Sequence, residues 1–392
     1  MSVEGSGGAA DGTATTTTAG AAGAGTVGAG SLLPGDGRPI DEDKVRRFAL
    51  DVWRYKQGEM VSLMIHLGDR LGLYRAMVGA GPIGAAQLAT RTGLAERWVR
   101  EWLLSQAAGG LVRSDDGLNF ELPPEAVPVL ADDRTSLWFA AGAFHGYSAS
   151  PEVVDALAEA FRSGVGLTYD QLGPAGAHQV ERMLGPWTRL ALVAEILPAL
   201  KGIPERLGVG CRVADVGCGT GLAVFAVAEA FPNSFVEGFD PSMHAIDVAE
   251  RRLDESALTN AAFHRLPAQA LPDEPTFDLV MTLDCLHDMA HPVEAANAIR
   301  RALRPDGAWL IKEIKAGETW AENAKNPVLA MMYATSVATC MSSALSEPGG
   351  AGLGTLGMTR SRAEQMCSSA GFSSFEVHEF PDPVNVYFEV RP

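Results

Sequence analysis

The chain has 392 residues, of which 47% are hydrophobic and 20% charged, so a fully disordered protein is excluded. At about 150 residues per domain, this length predicts two to three domains. The formal net charge of −17 disfavours a mainly nucleic-acid-binding role, because an acidic protein repels a phosphate backbone.

Targeting and redox signals are consistent with a cytoplasmic protein. No run approaches the roughly 20 apolar residues of a transmembrane helix, and the N-terminus has neither a basic nor an apolar signal region. The number of cysteines is odd and they form no CxxC pair, so neither a disulfide framework nor a structural zinc site is expected. The five cysteines are Cys211, Cys218, Cys285, Cys340 and Cys367.

The N-terminal region begins with a segment of low complexity. Residues 1–40 are mainly glycine, alanine and threonine, which cannot offset the entropy of ordering, so a disordered tail is predicted. Apolar residues then recur at helical spacing over residues 45–74 and predict a long helix. We expect this helix to pack against a second copy of the chain, forming a homodimer.

The order of elements in residues 41–130 predicts a winged-helix-like domain. Two helices joined by a turn precede a short hairpin around an Asp-Asp-Gly turn. The predicted helices cover 83–90 and 95–107, the turn lies at Thr92-Gly93, and the hairpin strands cover 111–113 and 118–120.

The charges of this domain favour packing or dimerisation over DNA binding. A DNA reader needs positive charge on both its second helix and its wing. Here Arg97 and Arg100 share the second helix with Glu96 and Glu101, and the wing carries three carboxylates. DNA reading therefore stays only as an alternative.

Residues 131–200 are predicted to form a helical connector with many aromatic and histidine side chains. Two interpretations stay open: these side chains are ordinary core residues, or they form the wall of a ligand pocket.

From residue 201 onward, strands and helices alternate, which predicts an α/β fold with a parallel, doubly wound sheet. An antiparallel hairpin at 374–379 and 385–390 ends this domain, and an insertion at about 315–358 interrupts it. The insertion contains a helical stretch at 327–345 and a glycine-rich loop at 348–357, either a lid hinge or a surface loop. Predicted strands cover 212–216, 234–239, 262–265, 277–283 and 307–314; predicted helices cover 222–230, 242–253 and 292–303.

The strongest motif is VADVGCGTG at residues 213–221, between the first strand and a helix. The dinucleotide pattern GxGxxG would need a third glycine where Leu222 stands, so NAD is disfavoured, and a P-loop sequence is absent. Asp215 would repel a diphosphate but suits a cationic or zwitterionic ligand. Asp240, at the end of the second strand, is placed to bind ribose hydroxyls.

These features resemble class I S-adenosylmethionine (SAM)-dependent methyltransferases. The resemblance covers about 180 residues and includes VADVGCGTG, the acid after the second strand, FDLVMTLDCLHDM, LRPDG and the final hairpin. The predicted winged helix restricts this resemblance to small-molecule methyltransferases that have such an N-terminal domain. Among them, an actinobacterial-type group of uncertain substrate is the most similar.

The resemblance implies SAM as the cofactor and assigns residues to its parts. Gly217 and Gly219 would hold the amino-acid end, Asp240 the ribose and Met243 the adenine face, while Asp284 would face the methionine end or the substrate. The full implied cofactor set is Asp215, Gly217, Cys218, Gly219, Gly221, Asp240, Met243, Ala268, Gln269 and Asp284.

His287 and Asp288 resemble the His-Asp pair of plant-type O-methyltransferases, in which the histidine deprotonates a phenol. A purely structural histidine is the alternative. The segment HDMAH resembles the zinc-binding motif HExxH, which needs a helix to place both histidines on one face. Here the segment follows a strand and Pro292 comes directly after it, so no metal is expected. Expected substrate contacts are Tyr147, Tyr169, Met332, Tyr333 and Ser336, whose character favours an apolar or aromatic acceptor.

The sequence therefore predicts a SAM-dependent methyltransferase acting on a small molecule, with oxygen slightly preferred over nitrogen or carbon because of His287. Two alternatives stay open: a SAM-sensing winged-helix DNA-binding regulator, and a catalytically inactive SAM-binding interaction protein.

Overall fold

The computed structural model describes residues 41–145 and 150–392, and the chain divides into two units, Met1–Lys56 and Gln57–Pro392. The predicted tail over residues 1–40 lies outside the described residues. Asp41, in the first unit, precedes the helix Glu42–Arg70, whose later residues belong to the second unit. The Asp41 carboxylate accepts hydrogen bonds from the backbone N–H groups of Asp43 and Lys44. This helix ends at Arg70 rather than continuing through residue 74.

The winged-helix region has the predicted pair of helices but differs in its strands. The helices are Ala85–Thr92 and Glu96–Ala108. Strand β1 (Ile83–Gly84) pairs antiparallel with β2 (Asn119–Phe120), so the prediction of a helix from residue 83 was wrong at its start. This pairing buries both Ile83 and Phe120, whereas the predicted 111–113/118–120 hairpin is reduced to a bridge between Arg113 and Glu121.

The connector is mostly helical. One stretch, Thr188–Ile196, is a π-helix that continues the preceding α-helix. A short helix, Leu73–Met77, follows the first long helix. The helices of the connector and its borders are Val127–Leu130, Pro151–Ser163, Pro174–Trp187, Leu197–Ala199 and Ile203–Val209. The 3₁₀ turns of this region are Pro124–Ala126, Ala141–Phe144 and Asp170–Leu172.

A seven-stranded sheet organises the C-terminal part of the chain. The strands are β3 (Arg212–Val216), β4 (Phe235–Phe239), β5 (Ala261–His264), β6 (Phe277–Leu283), β7 (Leu303–Ile314), β8 (Ser374–His378) and β9 (Asn385–Arg391). Their order in the sheet is β5-β4-β3-β6-β7-β9-β8. The first five strands in this order are parallel, and β9 pairs antiparallel with both β7 and β8, as the predicted closing hairpin requires.

Helices cover both faces of this sheet, which explains why its central strands are buried along most of their length. In β6, Phe277–Leu283, six of seven residues are buried. The covering helices are Leu222–Ala230, Met243–Glu255, Pro292–Ala302 and Arg360–Ser369, with a 3₁₀ turn at Ala268–Ala270.

The predicted helical stretch at 327–345 is present as one continuous helical run, in which the π-helix Ser336–Cys340 joins Leu329–Thr335 to Met341–Ala344. A further short helix, Trp320–Asn323, precedes it in the insertion.

Within residues 41–145 and 150–392, no single helix is long and apolar enough to cross a bilayer. One sharply bent pair of helices, His178–Ala199 with Ile203–Val209, is long and apolar enough when the two are taken together.

Candidate active site

The parallel strands bring their carboxyl ends to one edge of the sheet, where ligands of open α/β folds bind. The loop after β3 turns tightly there because Gly217, Gly219 and Gly221 all have positive φ. A Cβ atom on Gly217 would lie 2.7 Å from Cys285 Sγ, whereas one on Gly219 would meet only open space. Gly221 caps the helix Leu222–Ala230. The glycines therefore allow both the turn and close approach of a ligand.

Asp240, after β4, fixes this loop. Its Oδ2 accepts a hydrogen bond from the Gly219 N–H at 2.9 Å, and its Oδ1 accepts one from the Ser242 N–H at 2.8 Å. Burial raises the pKa of Asp240, although both N–H groups oppose the shift, and nearby Asp170 adds to it. Each oxygen keeps a second lone pair, so the carboxylate can still accept hydrogen bonds from two hydroxyl groups.

Asp215 is the least satisfied polar group of the site. It is 1% exposed, and its Oδ1 has no hydrogen-bond partner among the described residues. Burial, with a further contribution from the negative charge of Asp240, raises its pKa to about 7. A buried acceptor without a partner is costly, so this atom fits a ligand that brings its own donor, such as an ammonium group.

A connector segment, residues 165–172, lies against the start of the helix that follows Asp240; we call it the strap. Its Asp170 accepts hydrogen bonds from the Ser242 hydroxyl at 2.6 Å and from the Met243 N–H at 2.9 Å. These donors, together with His244, outweigh the effect of burial and lower the pKa of Asp170. An ionised Asp170 at this helix N-terminus is favourable for the same reason as an N-cap.

The strap also contacts the opposite side of the site. The Tyr169 hydroxyl donates a hydrogen bond to Asp288 Oδ2 at 2.7 Å. The Leu167 N–H donates one to the Ser342 hydroxyl oxygen at 2.8 Å in the insertion. The strap thus joins the start of the helix after Asp240, through Asp170, to the loop after β6.

Asp284 follows β6 with a φ of 57°, the one positive φ of a non-glycine residue in the described part of the chain. Lys312 and Asn385 each donate a hydrogen bond to one of its carboxylate oxygens. Burial raises the pKa of Asp284, and the Lys312 cation opposes this shift. Lys312 Nζ also lies 4.4 Å from the centre of the Trp187 ring. Protein donors therefore already occupy both oxygens that were expected to face the cofactor or the substrate.

His287 is buried and held by a carboxylate from the neighbouring strand β7. Its Nδ1 is hydrogen-bonded to Glu313 Oε2 at 2.6 Å, and Glu313 Oε1 accepts the Leu286 N–H at 2.9 Å. Burial alone would lower the pKa of His287, but the Glu313 charge, the Cys340 side chain and Asp288 raise it well above the ordinary value. Glu313 thus orients the ring through Nδ1 and favours its protonated form, so Nε2 accepts a proton only when the ring is neutral.

Asp288 completes the polar cluster around His287. Burial raises its pKa to about 6, while the positive charge on His287 and the Tyr169 hydroxyl oppose the shift. Side-chain atoms of His287, Asp288 and Cys340 that can bind a proton or a metal lie within 4.8 Å of one another. The predicted pair His287–Asp288 is therefore brought together with an aromatic hydroxyl and a thiol.

The glycine-rich loop at 348–357 is hydrogen-bonded to residues around this cluster. These contacts favour neither of the two expectations for the loop, a free lid hinge or a plain surface loop. The Gly354 N–H donates to the His287 carbonyl at 3.1 Å, and the Thr355 N–H donates to the Ser336 hydroxyl oxygen at 3.2 Å. Ser336, an expected substrate contact, is consequently buried and engaged by this loop.

The other expected ligand contacts are less uniform. Met332 is half-buried, with its sulfur accepting a hydrogen bond from Asn326, while Tyr333 is 42% exposed and stacks on Trp320. Tyr147 lies outside the described residues.

The remaining expected cofactor contacts also differ from one another in exposure. Ala268 and Cys218 are buried, and Met243 is 38% exposed at the site rim. The exposed side chain of Gln269 donates a hydrogen bond to the His291 carbonyl.

Three polar residues of the site were not singled out from the sequence. Glu313 and Lys312 lie in the otherwise apolar strand segment AWLIKEI. Two charged residues within such a segment are unusual, and this signal could have identified them from the sequence. Asp170 gave no comparable signal, because its partners are distant in sequence and the strap has no regular pattern.

This fold and site define a Rossmann-like domain of the class I methyltransferase type, with its glycine loop, an acid after β4 and a closing hairpin, preceded by a winged-helix region. Comparisons with known families agree with this class. Residues 207–371 match the family model of the Methyltransferase domain, and residues 59–131 match that of the Rv2258c-like winged HTH domain. The chain thus contains both domains, which confirms the resemblance and the fold class inferred from the sequence.

Individual relatives match over different extents. The chain is 33% identical over 121 residues to a ubiquinone biosynthesis O-methyltransferase of Alkalilimnicola ehrlichii, covering 30% of this chain and 44% of that protein. A similar protein of Roseobacter denitrificans is 30% identical over 129 residues, covering 33% of this chain and 48% of that protein. The chain thus spans less than half the length of these curated relatives.

Solved structures match nearly the whole fold. Human N-acetylserotonin methyltransferase, in complex with SAM, has a TM-score of 0.60 at 19% identity, covering 90% of this chain and 99% of that one. An O-methyltransferase family protein from Burkholderia thailandensis has a TM-score of 0.59 at 16% identity, covering 88% and 97%. These likenesses concern the fold.

Proposed function

We propose that the protein is a SAM-dependent methyltransferase that transfers a methyl group to a small-molecule acceptor. The observation that carries this proposal is Asp215 Oδ1, a buried acceptor without a partner among the described residues, beside the glycine loop and Asp240. SAM has an ammonium group at one end and ribose hydroxyls at the other. The geometry offers an unpaired acceptor and a second carboxylate for these two ends, which also supports SAM over a diphosphate ligand.

In this proposal, each residue of the loop region has a defined contact. Gly217 and Gly219 bring backbone close to the methionine end, Asp215 accepts from its ammonium group, and Asp240 accepts from the ribose hydroxyls. Met243 covers the adenine. The secondary contacts are Cys218, Gly221, Ala268 and Gln269. Asp284 has a supporting role, because it already binds Lys312 and Asn385.

We further propose that the acceptor atom is oxygen, with His287 as general base. Methyl transfer from a sulfonium is an in-line displacement, so the enzyme mainly holds the nucleophile near the methyl group. A hydroxyl nucleophile also loses a proton, and a base within hydrogen-bond reach helps this step. Glu313 orients His287 through Nδ1 and would stabilise the imidazolium that forms. Asp288 and Tyr169 provide further hydrogen-bonding groups beside it.

The acceptor side favours an apolar or aromatic molecule. Met332, Tyr333 and Tyr169 supply thioether and aromatic surface, and Ser336 supplies a hydroxyl group already used by Thr355. Such a lining binds a phenol or a similar hydroxylated ring more readily than a charged acceptor.

Homodimerisation and a cytoplasmic location are part of the same proposal. Apolar side chains in the first unit are exposed, with Phe48 at 71% and Tyr55 at 78%, and a partner chain would cover them. The five free thiols suit a reducing compartment.

The regulator alternative is weakened by the second helix of the winged-helix region. There Arg97 pairs with Glu101 and Arg100 pairs with Glu96, so the helix presents little free positive charge to DNA. An inactive SAM-binding protein remains the other alternative, and turnover distinguishes it.

The first experiment is calorimetric titration with SAM and S-adenosylhomocysteine. Wild type should bind both ligands, and Asp240→Ala should lose at least tenfold in affinity. Asp247→Ala is the matched control, because Asp247 is an exposed carboxylate on the helix that follows Asp240, Met243–Glu255. Failure of folded wild type to bind either ligand would overturn the cofactor assignment.

A panel of phenolic acceptors then tests turnover, with His287→Gln beside wild type. Methylation of a phenol that falls by two to four orders of magnitude in the variant supports the base. Equal rates in both proteins would leave His287 a structural residue.

A further inference from the structure

A cavity of about 780 Å³ lies between the winged-helix region and the connector, away from the candidate active site. None of its described lining residues falls within 207–371, the range that matches the methyltransferase domain. The lining is unusually rich in cations for a protein of net charge −17. Its charged and imidazole side chains are Asp69, Arg70, Arg75, Asp132, Asp133, Arg134, His145, His178 and Arg182.

The central carboxylate of the cavity is fully engaged. The Asp69 side chain is 1% exposed and accepts hydrogen bonds from Arg182 Nη2 at 3.0 and 2.7 Å and from Arg75 Nη1 at 3.1 Å. His145 Nε2 lies 2.6 Å from its Oδ2. Asp69 therefore has no capacity left to neutralise another cation.

The two remaining carboxylates are engaged as well. Asp133 accepts from Arg182 Nη1 at 2.7 Å. Asp132 closes a turn, accepting hydrogen bonds from the backbone N–H groups of Arg134 and Thr135 and from the Thr135 hydroxyl. The acidic groups in the lining thus serve the protein's own structure.

Two arginines of the lining are left without a counter-ion. The guanidinium groups of Arg70 and Arg134 make neither a hydrogen bond nor an ion pair to any residue within 41–145 and 150–392. An arginine presents paired N–H donors that match the oxygens of a phosphate. Two such groups at one cavity offer both the charge and the donors that a dianion needs.

The same cavity has an apolar wall. Val78, Val127 and Ala131 line it without polar side-chain atoms. Its volume is in the range of small-molecule sites and far exceeds that of a phosphate ion, so an organic body would fill the remaining space.

We propose that this cavity binds a small organic phosphate, with the phosphate held by Arg70 and Arg134 and the organic body against Val78, Val127 and Ala131. The site is separate from the SAM and acceptor site, and its occupant does not depend on the proposed methyl transfer. The helix Pro174–Trp187 contributes His178 and Arg182 to the cavity and, at its other end, Trp187 to the Lys312–Asp284 group. A bound ligand would therefore contact a helix that reaches the active-site edge.

The test is calorimetric titration of the full chain with phenyl phosphate, inorganic phosphate and phenol. We expect saturable binding of phenyl phosphate at one site and weaker binding of inorganic phosphate there, whereas any binding of phenol, at the proposed acceptor site, should not change in the arginine variants. The double variant Arg70→Gln/Arg134→Gln should weaken phenyl phosphate binding by about tenfold or more, since each charge-assisted pair is lost. Val127→Asn should weaken phenyl phosphate binding but leave inorganic phosphate binding unchanged.

Arg97→Gln is the matched control, because it removes an exposed arginine that pairs with Glu101 outside the cavity. This variant should bind phenyl phosphate as wild type does. SAM affinity measured on the same preparations verifies that the double variant is folded. The proposal fails if wild type does not bind phenyl phosphate in the millimolar range, if the double variant binds it equally well, or if Arg97→Gln weakens it as much as the double variant does.

Discussion

Asp170 Oδ1 accepts a hydrogen bond from the Ser242 hydroxyl at 2.6 Å, joining the connector to the start of the helix that follows Asp240. Because Asp240 in turn holds the Gly219 N–H, the glycine loop and the strap are linked through three consecutive polar contacts. Cofactor affinity should therefore depend on a residue outside the methyltransferase domain range.

Asp170→Ala should weaken SAM binding by about two- to thirtyfold, since loss of the capping contact at this helix N-terminus costs about 0.5–2 kcal/mol. Calorimetry and the melting temperature are measured together. Ser150→Ala is the control, since Ser150 caps the helix Pro151–Ser163. It should lower the melting temperature while leaving SAM affinity unchanged; an equal loss of affinity in both variants would show a general stability effect only.

Asp215 should make SAM binding depend on pH. Its pKa is raised to about 7 by burial and by Asp240, so it is neutral below that pH and ionised above it. The carboxylate, not the acid, attracts an ammonium group, so affinity should rise as pH increases through about 7. Titrations from pH 6 to 8.5 measure this, and Asp215→Asn should remove the rise and bind about tenfold more weakly at pH 8.

The same residue predicts an effect on stability without cofactor. Because the folded pKa lies above the unfolded value, the folded state holds the proton more tightly, and stability is lost as pH rises from about 4 to 7. Asp215→Asn should therefore melt at a higher temperature than wild type at pH 8 and show a smaller difference at pH 5. A lower melting temperature for the variant at pH 8 would contradict this account.

Gly217 should tolerate no side chain. A Cβ there would lie 2.7 Å from Cys285 Sγ, and the φ of 77° strains any residue that has one. Gly217→Ala should cost about 1–3 kcal/mol of unfolding free energy, measured by denaturant titration. Gly208→Ala is the contrasting control: its Cβ would meet open space in the helix Ile203–Val209, and alanine there should be neutral or stabilising.

The features that the sequence predicts correctly are those set by residues close together in the chain. The strands and helices around VADVGCGTG follow from periodicity, and the helix Leu222–Ala230 has the predicted bounds. Asp240 was identified because its spacing from the loop is set by one βα unit. The β1–β2 pairing was not predicted, since Ile83 and Phe120 are far apart in sequence and each strand has only two residues.

The polar partners of the site were missed for the same physical reason. Glu313 contacts His287 because β6 and β7 are neighbours in the sheet. The sequence pattern of either strand alone does not indicate that the two strands pair. Asp170 reaches Ser242 across the connector, 72 residues away in the chain. Long-range hydrogen bonds of this kind depend on tertiary packing, so charged residues inside apolar strands are the best available sequence signal for them.

Glu313→Gln tests whether His287 acts as a base held by this long-range contact. The Glu313 charge is the main cause that raises the pKa of His287 against burial, so the amide should lower that pKa. A base works when deprotonated, so the acid limb of the kcat/KM profile for a phenolic acceptor should move to lower pH in the variant. Its plateau should fall by about ten- to a hundredfold, because a neutral partner stabilises the imidazolium less well. Glu376→Gln, on the exposed surface of β8, is the control and should leave the profile unchanged. A uniform drop in Glu313→Gln with an unmoved acid limb would assign Glu313 a structural role and remove the support for His287 as the base.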